Sequence, residues 1–344
     1  MFLPNTLFVL GAASSVDFRF PLGVDLKKQI AARLAITQSD WGDVKLGNEF
    51  LQIIDSIRGL PEFNNDSKRV LKVARIISSG VGLCSSIDNF LEMRKEEVGL
   101  SACAKIAISS IIAEAERNCV DLQWTGRGND RLPDFDGKWH QQFAQICFEG
   151  AVLSDLPGAL SRISVISFNY DRTFEQFVRI AISRLYSLNA QEAIKISNHL
   201  SVMHPYGSLS PLPGDSGSAV EFGQEVNPLY YQSMASQIKT FTERVAEGGV
   251  LSEIEQKVQR ADRIIFLGFG YHRQNIEILK PKIQNASKLI LGTAKGVAPA
   301  AQESIRQQLL SSMGAVSVKL EDKDCNKFLE EYSLALRDPN SIRY

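Results

Sequence analysis

The residues able to do chemistry in this 344-residue chain fall into four short groups, each where an apolar run meets turn residues. The first, Gly11-Ala12-Ala13-Ser14-Ser15, has Asp17, Arg19, Pro21 and Gly23 close behind it. Small residues let a backbone approach a ligand, and amides at the start of the following helix favour a phosphate. The same residues also suit a plain strand-to-helix turn. The second group, Ser167-Phe168-Asn169-Tyr170-Asp171, offers an amide and a carboxylate two residues apart. Capping of the next helix, with Glu175 in its first turn, competes for both. The third is Met203-His204-Pro205-Tyr206-Gly207-Ser208. The chain has four histidines, at 140, 199, 204 and 272. His140 and His199 lie in helix-like, polar-flanked segments and are expected at the surface. His204 stands at the end of an apolar run, which makes it the general-base candidate, with a structural loop role as the alternative. The fourth group is Phe266 to Tyr271, where Gly268 and Gly270 leave room for the ribose or adenine of a nucleotide, with Gly292-Thr293 after the next apolar run.

Several chemistries have no matching motif. The Gly-rich dinucleotide fingerprint, the P-loop, HExxH, GxSxG, kinase signatures and glycosidase-like carboxylate pairs are absent. The five cysteines, at 84, 103, 119, 147 and 325, form no CxxC, which argues against a disulfide framework and a cysteine zinc site.

The elements that must position these groups follow from periodicity. Runs at Thr6–Gly11, Arg162–Phe168, Ser201–His204, Arg263–Leu267, Lys288–Leu291 and Ala315–Leu320 are short, apolar and bounded by turn signals. Most are followed by helix-like segments: Val24–Leu34, Asp171–Leu185, Gln274–Ile283, Pro299–Ser312 and Asn326–Leu336. This alternation predicts an α/β fold, a Rossmann-like, doubly wound parallel sheet of about six strands. From about 37 to 155 the strand-like runs stop. Helical periodicity takes over at Gly47–Arg58, Ser67–Ser79, Ser85–Lys95, Leu100–Asn118 and Trp139–Leu153, with a polar loop at Gly126–Gly137. The expected organisation is one nucleotide-binding domain, 1–36 and 156–344, interrupted by a helical insertion, 37–155. A second excursion, about 208–260, opens with the Pro/Gly/Ser loop Ser210–Ser218.

Composition sets the outer bounds. With 44% hydrophobic residues the chain can bury a large core, and 38 basic against 39 acidic residues give a net charge of −1. No global basic field draws it to nucleic acid or an anionic membrane, and no apolar run approaches the ~18 residues of a membrane span. The run Leu7–Ala13 has no Lys or Arg before it and is preceded by Pro4, so it reads as a strand, not a signal peptide. The cytoplasm is the expected compartment.

Taken in order, the four groups resemble a sirtuin-like domain, in particular the zinc-free bacterial sirtuin-like NAD hydrolases of antiphage defence. Gly11-Ala12-Ala13-Ser14-Ser15 with Pro21-Leu22-Gly23 is similar to the family's Gly-Ala-Gly-type loop and following Pro segment. Asn169-Tyr170-Asp171 resembles its Asn-x-Asp, His204 its catalytic histidine, and Gly268-Phe269-Gly270 its later nucleotide loop. Ser86 to Leu91 is similar to a segment of the helical insert in the defence subgroup. The sequence departs from the family at Ala13, where a second Gly stands, and at Pro205-Tyr206, which separate His204 from Gly207. It also lacks the four zinc cysteines of the deacylating branch, since Cys325 alone lies beyond His204. The resemblance implies an NAD hydrolase that uses NAD as substrate, needs no metal and releases nicotinamide and ADP-ribose. Asn169 would orient a ribose hydroxyl or the attacking water. His204, neutral near pH 7, would be the base, and Asp171 would lie by the nicotinamide. Gly11, Ala12, Ala13 and Ser14, with Asp17 and Pro21, and then Gly268, Gly270 and Thr293, would hold the rest of the nucleotide. It further implies a homo-oligomer silent until triggered, with a separate partner chain such as a ring ATPase or an Argonaute. The other readings are a nucleotide sensor or scaffold without turnover, and an NAD-dependent ADP-ribosyl transferase or deacylase.

Overall fold

A computed structural model describes residues 1–38, 44–126, 131–215, 219–228, 230–240, 243, 248–283 and 288–338. Parts of two expected loops, 127–130 within Gly126–Gly137 and 216–218 within Ser210–Ser218, lie outside them.

The apolar runs form a six-stranded, all-parallel sheet: β1 (Thr6–Leu10), β4 (Ile163–Ser167), β5 (Ser201–Met203), β6 (Arg263–Leu267), β7 (Lys288–Thr293) and β8 (Ala315–Glu321). Every residue of β1 is buried, as expected of a strand covered on both faces. The order across the sheet is β5-β4-β1-β6-β7-β8. The chain thus builds outward from β1 on one side through β4 and β5, then returns to build β6, β7 and β8 on the other. The reversal falls beside β1, where open parallel sheets bind ligands outside the carboxyl ends. Register aligns those ends, since Leu10 pairs with both Ser167 and Leu267. The loops after β1, β4 and β6 therefore leave the sheet side by side. Helix α1 (Gly23–Arg33) follows β1, and α8 (Thr173–Tyr186) and α9 (Ala190–Ser197) connect β4 to β5. Among the described residues no helix is long and apolar enough to cross a membrane.

Between α1 and β4 stand α2 (Asn48–Arg58), α3 (Ser67–Gly80), α4 (Ile87–Met93), α5 (Leu100–Asn118), α6 (Trp139–Phe148) and α7 (Leu156–Ser161). α5 is buried around most of its circumference, from Cys103 to Ala113, and α1, α2 and α3 surround it. The sheet and these helices share one continuous apolar core. Helix α6, inside the 37–155 segment, lies directly on the sheet: the Phe143 ring meets Phe2 at 5.1 Å and Phe8 at 5.6 Å.

Helix α9 is closed by a reciprocal cap, with the Glu192 amide donating to Asn189 Oδ1 and the Asn189 amide to Glu192 Oε2, both at 3.0 Å. Three local features depart from the sequence expectations. The segment after residue 36 opens with an antiparallel pair, β2 (Ile36–Gln38) and β3 (Val44–Leu46), and not with helix. The expected helix Trp139–Leu153 stops at Phe148 because Gly150 takes a left-handed turn (φ 77°). The third concerns His140, expected at the surface. It is wholly buried among Trp139, Phe18 and Phe177, with ring centroids 4.0–5.0 Å away, and among the described residues neither ring nitrogen has a hydrogen-bond partner. The polar flanks Lys138 and Gln141 misdirect the reading; helical spacing turns residue 140 inward between them.

Candidate functional site

A cavity of about 610 Å³ opens at the carboxyl edge of the sheet, over the reversal beside β1. Gly11, Ala12, Ala13 and Pro21 line it from the first loop, Asn169 and Asp171 from the end of β4, Gly268 and Gly270 from the end of β6, and Thr293 from β7. Ser14, Asp17 and His204 do not line it.

The glycines here serve the protein before any ligand. A Cβ on Gly11 would sit 2.6 Å from the Gly268 carbonyl oxygen, and one on Gly268 would sit 2.2 Å from the Ser14 amide. Gly268 also holds φ at 62°. The two loops are pressed together backbone to backbone, which is what aligns the edges of β1 and β6. The amides of Gly11, Ala13, Ser14 and Ser15 donate to the carbonyls of Leu267, Gly268, Gly11 and Ala12 at 2.8–3.2 Å. These four amides are spent inside the protein and are not free for a phosphate. Thr293 is likewise engaged, its Oγ1 accepting from the Gly268 amide at 2.8 Å.

Asn169 ties the second group to the first. Its Nδ2 donates to the Gly11 carbonyl at 3.2 Å, Ser15 Oγ at 3.1 Å and Ser14 Oγ at 3.3 Å. The obligate acceptor on Gly11 settles the amide's orientation. Oδ1 takes no hydrogen bond from a described side chain. Helix capping falls to Asp171 instead, whose Oδ1 accepts from the Thr173 amide (3.1 Å), Thr173 Oγ1 (2.6 Å) and Ser15 Oγ (3.1 Å). Burial raises the Asp171 carboxyl to about 6 against those hydrogen bonds, so it is ionised at neutral pH.

His204 faces a second, more polar cavity of about 450 Å³, with Arg172, Glu175, Arg179 and Asp215. Its Nδ1 lies 3.0 Å from the Asn169 carbonyl oxygen and its Nε2 2.6 Å from Glu175 Oε1. A carbonyl only accepts, so Nδ1 carries a proton; Nε2 shares the other with Glu175. Burial, the largest influence, lowers the imidazole's pKa, but Glu175, the Asn169 carbonyl and Asp171 together raise it above the ordinary value. Glu175, which burial would push up, is held below its ordinary value by the same contact. The ring bridges Glu175 to the Asn169 peptide, with its charged form favoured by the carboxylate. The sequence reading expects a neutral base; here the Nε2 position such a base would use faces Glu175.

Three features of the site escape the sequence reading. Arg172, 2% exposed, pairs through Nε with Glu116 Oε1 of α5 at 3.0 Å, and its Nη1 donates to Val220 O (2.7 Å) and Ser210 Oγ (2.9 Å). One guanidinium at the start of α8 thus joins Glu116 of the insertion to Ser210 and Val220. Tyr206, which lines the larger cavity, donates to Asn275 Oδ1 at 2.8 Å. Asp88 brings a carboxylate from α4 into the same cavity; the Ser86–Leu91 resemblance is the signal that marks it. No protein-family model matches the chain, and no curated protein matches it, so any function must be read from the site's own chemistry.

Proposed function

We propose that the protein hydrolyses NAD at the bond between nicotinamide and ribose. The observation that carries this reading is Asn169: its amide is clamped to Gly11, Ser14 and Ser15 and lines the cavity over the sheet's reversal, leaving Oδ1 for a ligand hydroxyl or a water. In the reaction the C1′–N1 bond breaks, its electron pair leaves with neutral nicotinamide, and positive charge develops on the ribose. Water adds at C1′ and loses one proton, giving ADP-ribose. Asp171, ionised near pH 7, supplies negative charge beside that centre. His204 acts through the Asn169 peptide as a positioning residue. A shared cofactor is consumed, which favours an effector held inactive until triggered, in an oligomer or beside a partner in the cytoplasm. The test is nicotinamide release measured with product mass. Asn169→Ala is expected to lose ~10²-fold or more in turnover while staying folded at the assay temperature, with ~1–3 kcal/mol of stability lost along with its hydrogen bonds. Normal turnover by that variant would sink the reading.

A second reading, binding of a nucleotide without turnover, is favoured by one observation: both nitrogens of His204 are already engaged. Saturable NAD binding with no nicotinamide release would select it. A mass shift on a protein or nucleic-acid acceptor would instead select transfer.

A further inference from the structure

The insertion sends one carboxylate into the cavity, and among the described residues no cation is paired with it. Asp88 stands one residue into α4, whose start is fixed by Ser86 Oγ accepting from the Asn89 amide at 3.0 Å. Its neighbour in the cavity is Tyr170, which lies between Asn169 and Asp171 in the chain and whose hydroxyl donates to Asp88 Oδ1 at 3.4 Å. Tyr206 lies near Tyr170, and Phe168 and Phe269 continue the wall, with Phe168 5.9 Å from Tyr206 and 5.1 Å from Phe269 between ring centroids. The only groups that favour the ionised form are a backbone hydrogen bond and the Tyr170 hydroxyl; burial opposes them and pushes the carboxyl to about 6. Asp88 is therefore still charged at neutral pH, with no described cation paired to it. Aromatic faces beside an unpaired carboxylate form a receptor for a flat, positively charged ring.

We propose that Asp88, reaching from the insertion into this aromatic end of the cavity, selects the positively charged, oxidised nicotinamide ring over its neutral, reduced form. The inference rests on the hydrolase reading and adds a specificity to it. It assigns the insertion a direct part in recognition, because the group that reads the charge does not come from the sheet. The neutral nicotinamide released by cleavage would lose the same attraction, which favours its departure.

The experiment is calorimetric titration at pH 8 with two probes: NADH, and the carbocyclic analogue of NAD, which keeps the pyridinium charge but lacks the cleavable bond. The native chain is expected to bind the charged analogue roughly tenfold or more tightly than NADH. Asp88→Asn is expected to bring the two within about twofold by weakening the analogue alone. Equal affinities in the native chain, or equal weakening of both probes by Asp88→Asn, overturn this inference while nicotinamide release still supports hydrolysis. Binding of neither probe overturns both. Should Asp88→Asn fail to fold, the native ratio decides: a preference below about threefold overturns the inference, and its survival in Asp88→Glu supports it.

Discussion

Helix α8 separates two regions that treat a histidine in opposite ways. On one side Phe174, Phe177 and Ala181 recur at helical spacing and are buried, the two rings packing into the aromatic cluster of Phe135, Trp139 and Phe143. His140 is sealed inside that cluster with both nitrogens unpartnered, and burial lowers its pKa well below the ordinary value, so it stays neutral. On the other side Arg172, Glu175 and Arg179 recur at the same spacing and line the polar cavity. There His204 has an acceptor at each nitrogen, and Glu175 raises its pKa. The surroundings, and not the residue type, decide whether an imidazole carries charge. The practical consequence is that histidine substitutions here report two different things, core stability and site geometry.

The largest expected effect breaks the polar side. Glu116→Ala leaves Arg172 buried without its carboxylate and should cost ~3–5 kcal/mol in urea unfolding. The double change Glu116→Leu with Arg172→Met removes both charges and should recover much of that loss. If the single variant is as stable as the parent, the ion pair does not organise this side. Next in size is His140→Phe, which replaces two unsatisfied nitrogens by hydrocarbon and should be close to neutral at pH 8. Because the folded pKa of His140 is lowered, the native chain loses stability as pH falls below the unfolded value of ~6.5, while the variant does not. The margin should grow to roughly 2 kcal/mol by pH 5. A margin that stays flat between pH 8 and pH 5 would refute the neutral assignment.

His204→Gln should behave with the opposite sign and a smaller size. A raised folded pKa gives stability that is fully present below ~6.5 and lost as pH rises through the folded value. The depressed pKa of Glu175 keeps its own share until pH falls below ~4.5. The native chain should therefore exceed the variant by ~1 kcal/mol near pH 5.5 and converge with it toward alkaline pH. Divergence on the alkaline side would reverse the charge assigned to the ring. The smallest effect is set by His199, exposed just past α9. His199→Ala should change melting by no more than ~0.5 kcal/mol and leave nicotinamide release intact. It is the proper activity control, because truncating the buried His140 would open a cavity in the core.

The six strands and their parallel order were legible because each is a short apolar run closed by turn residues, with a helix between successive runs. Thr6–Leu10 and Arg263–Leu267 differ from expectation by a residue at most. The β2–β3 pair was not legible, since Ile36–Gln38 holds a single apolar residue and so makes no apolar run. In the site, strand-end position located Asn169, Asp171, Gly268 and Thr293 at the cavity. The same rule put His204 in that site as well, but it lines the neighbouring cavity, because β5 lies at the far edge of the sheet, beyond β4.

The sequence by itself determined what pairs with what along the chain: apolar runs must be buried, glycines must sit where backbones touch, and strand ends must carry the polar residues. These are local requirements, met by period and side-chain type. Only the tertiary structure decided which groups from distant segments share one space. Glu175 reaches His204 across 29 residues, Arg172 reaches Glu116 across 56, and Tyr170 reaches Asp88 across 82. Charge state followed from those meetings, because an ionisable group responds to the few neighbours and the burial it acquires on folding, and neither is written in its own segment.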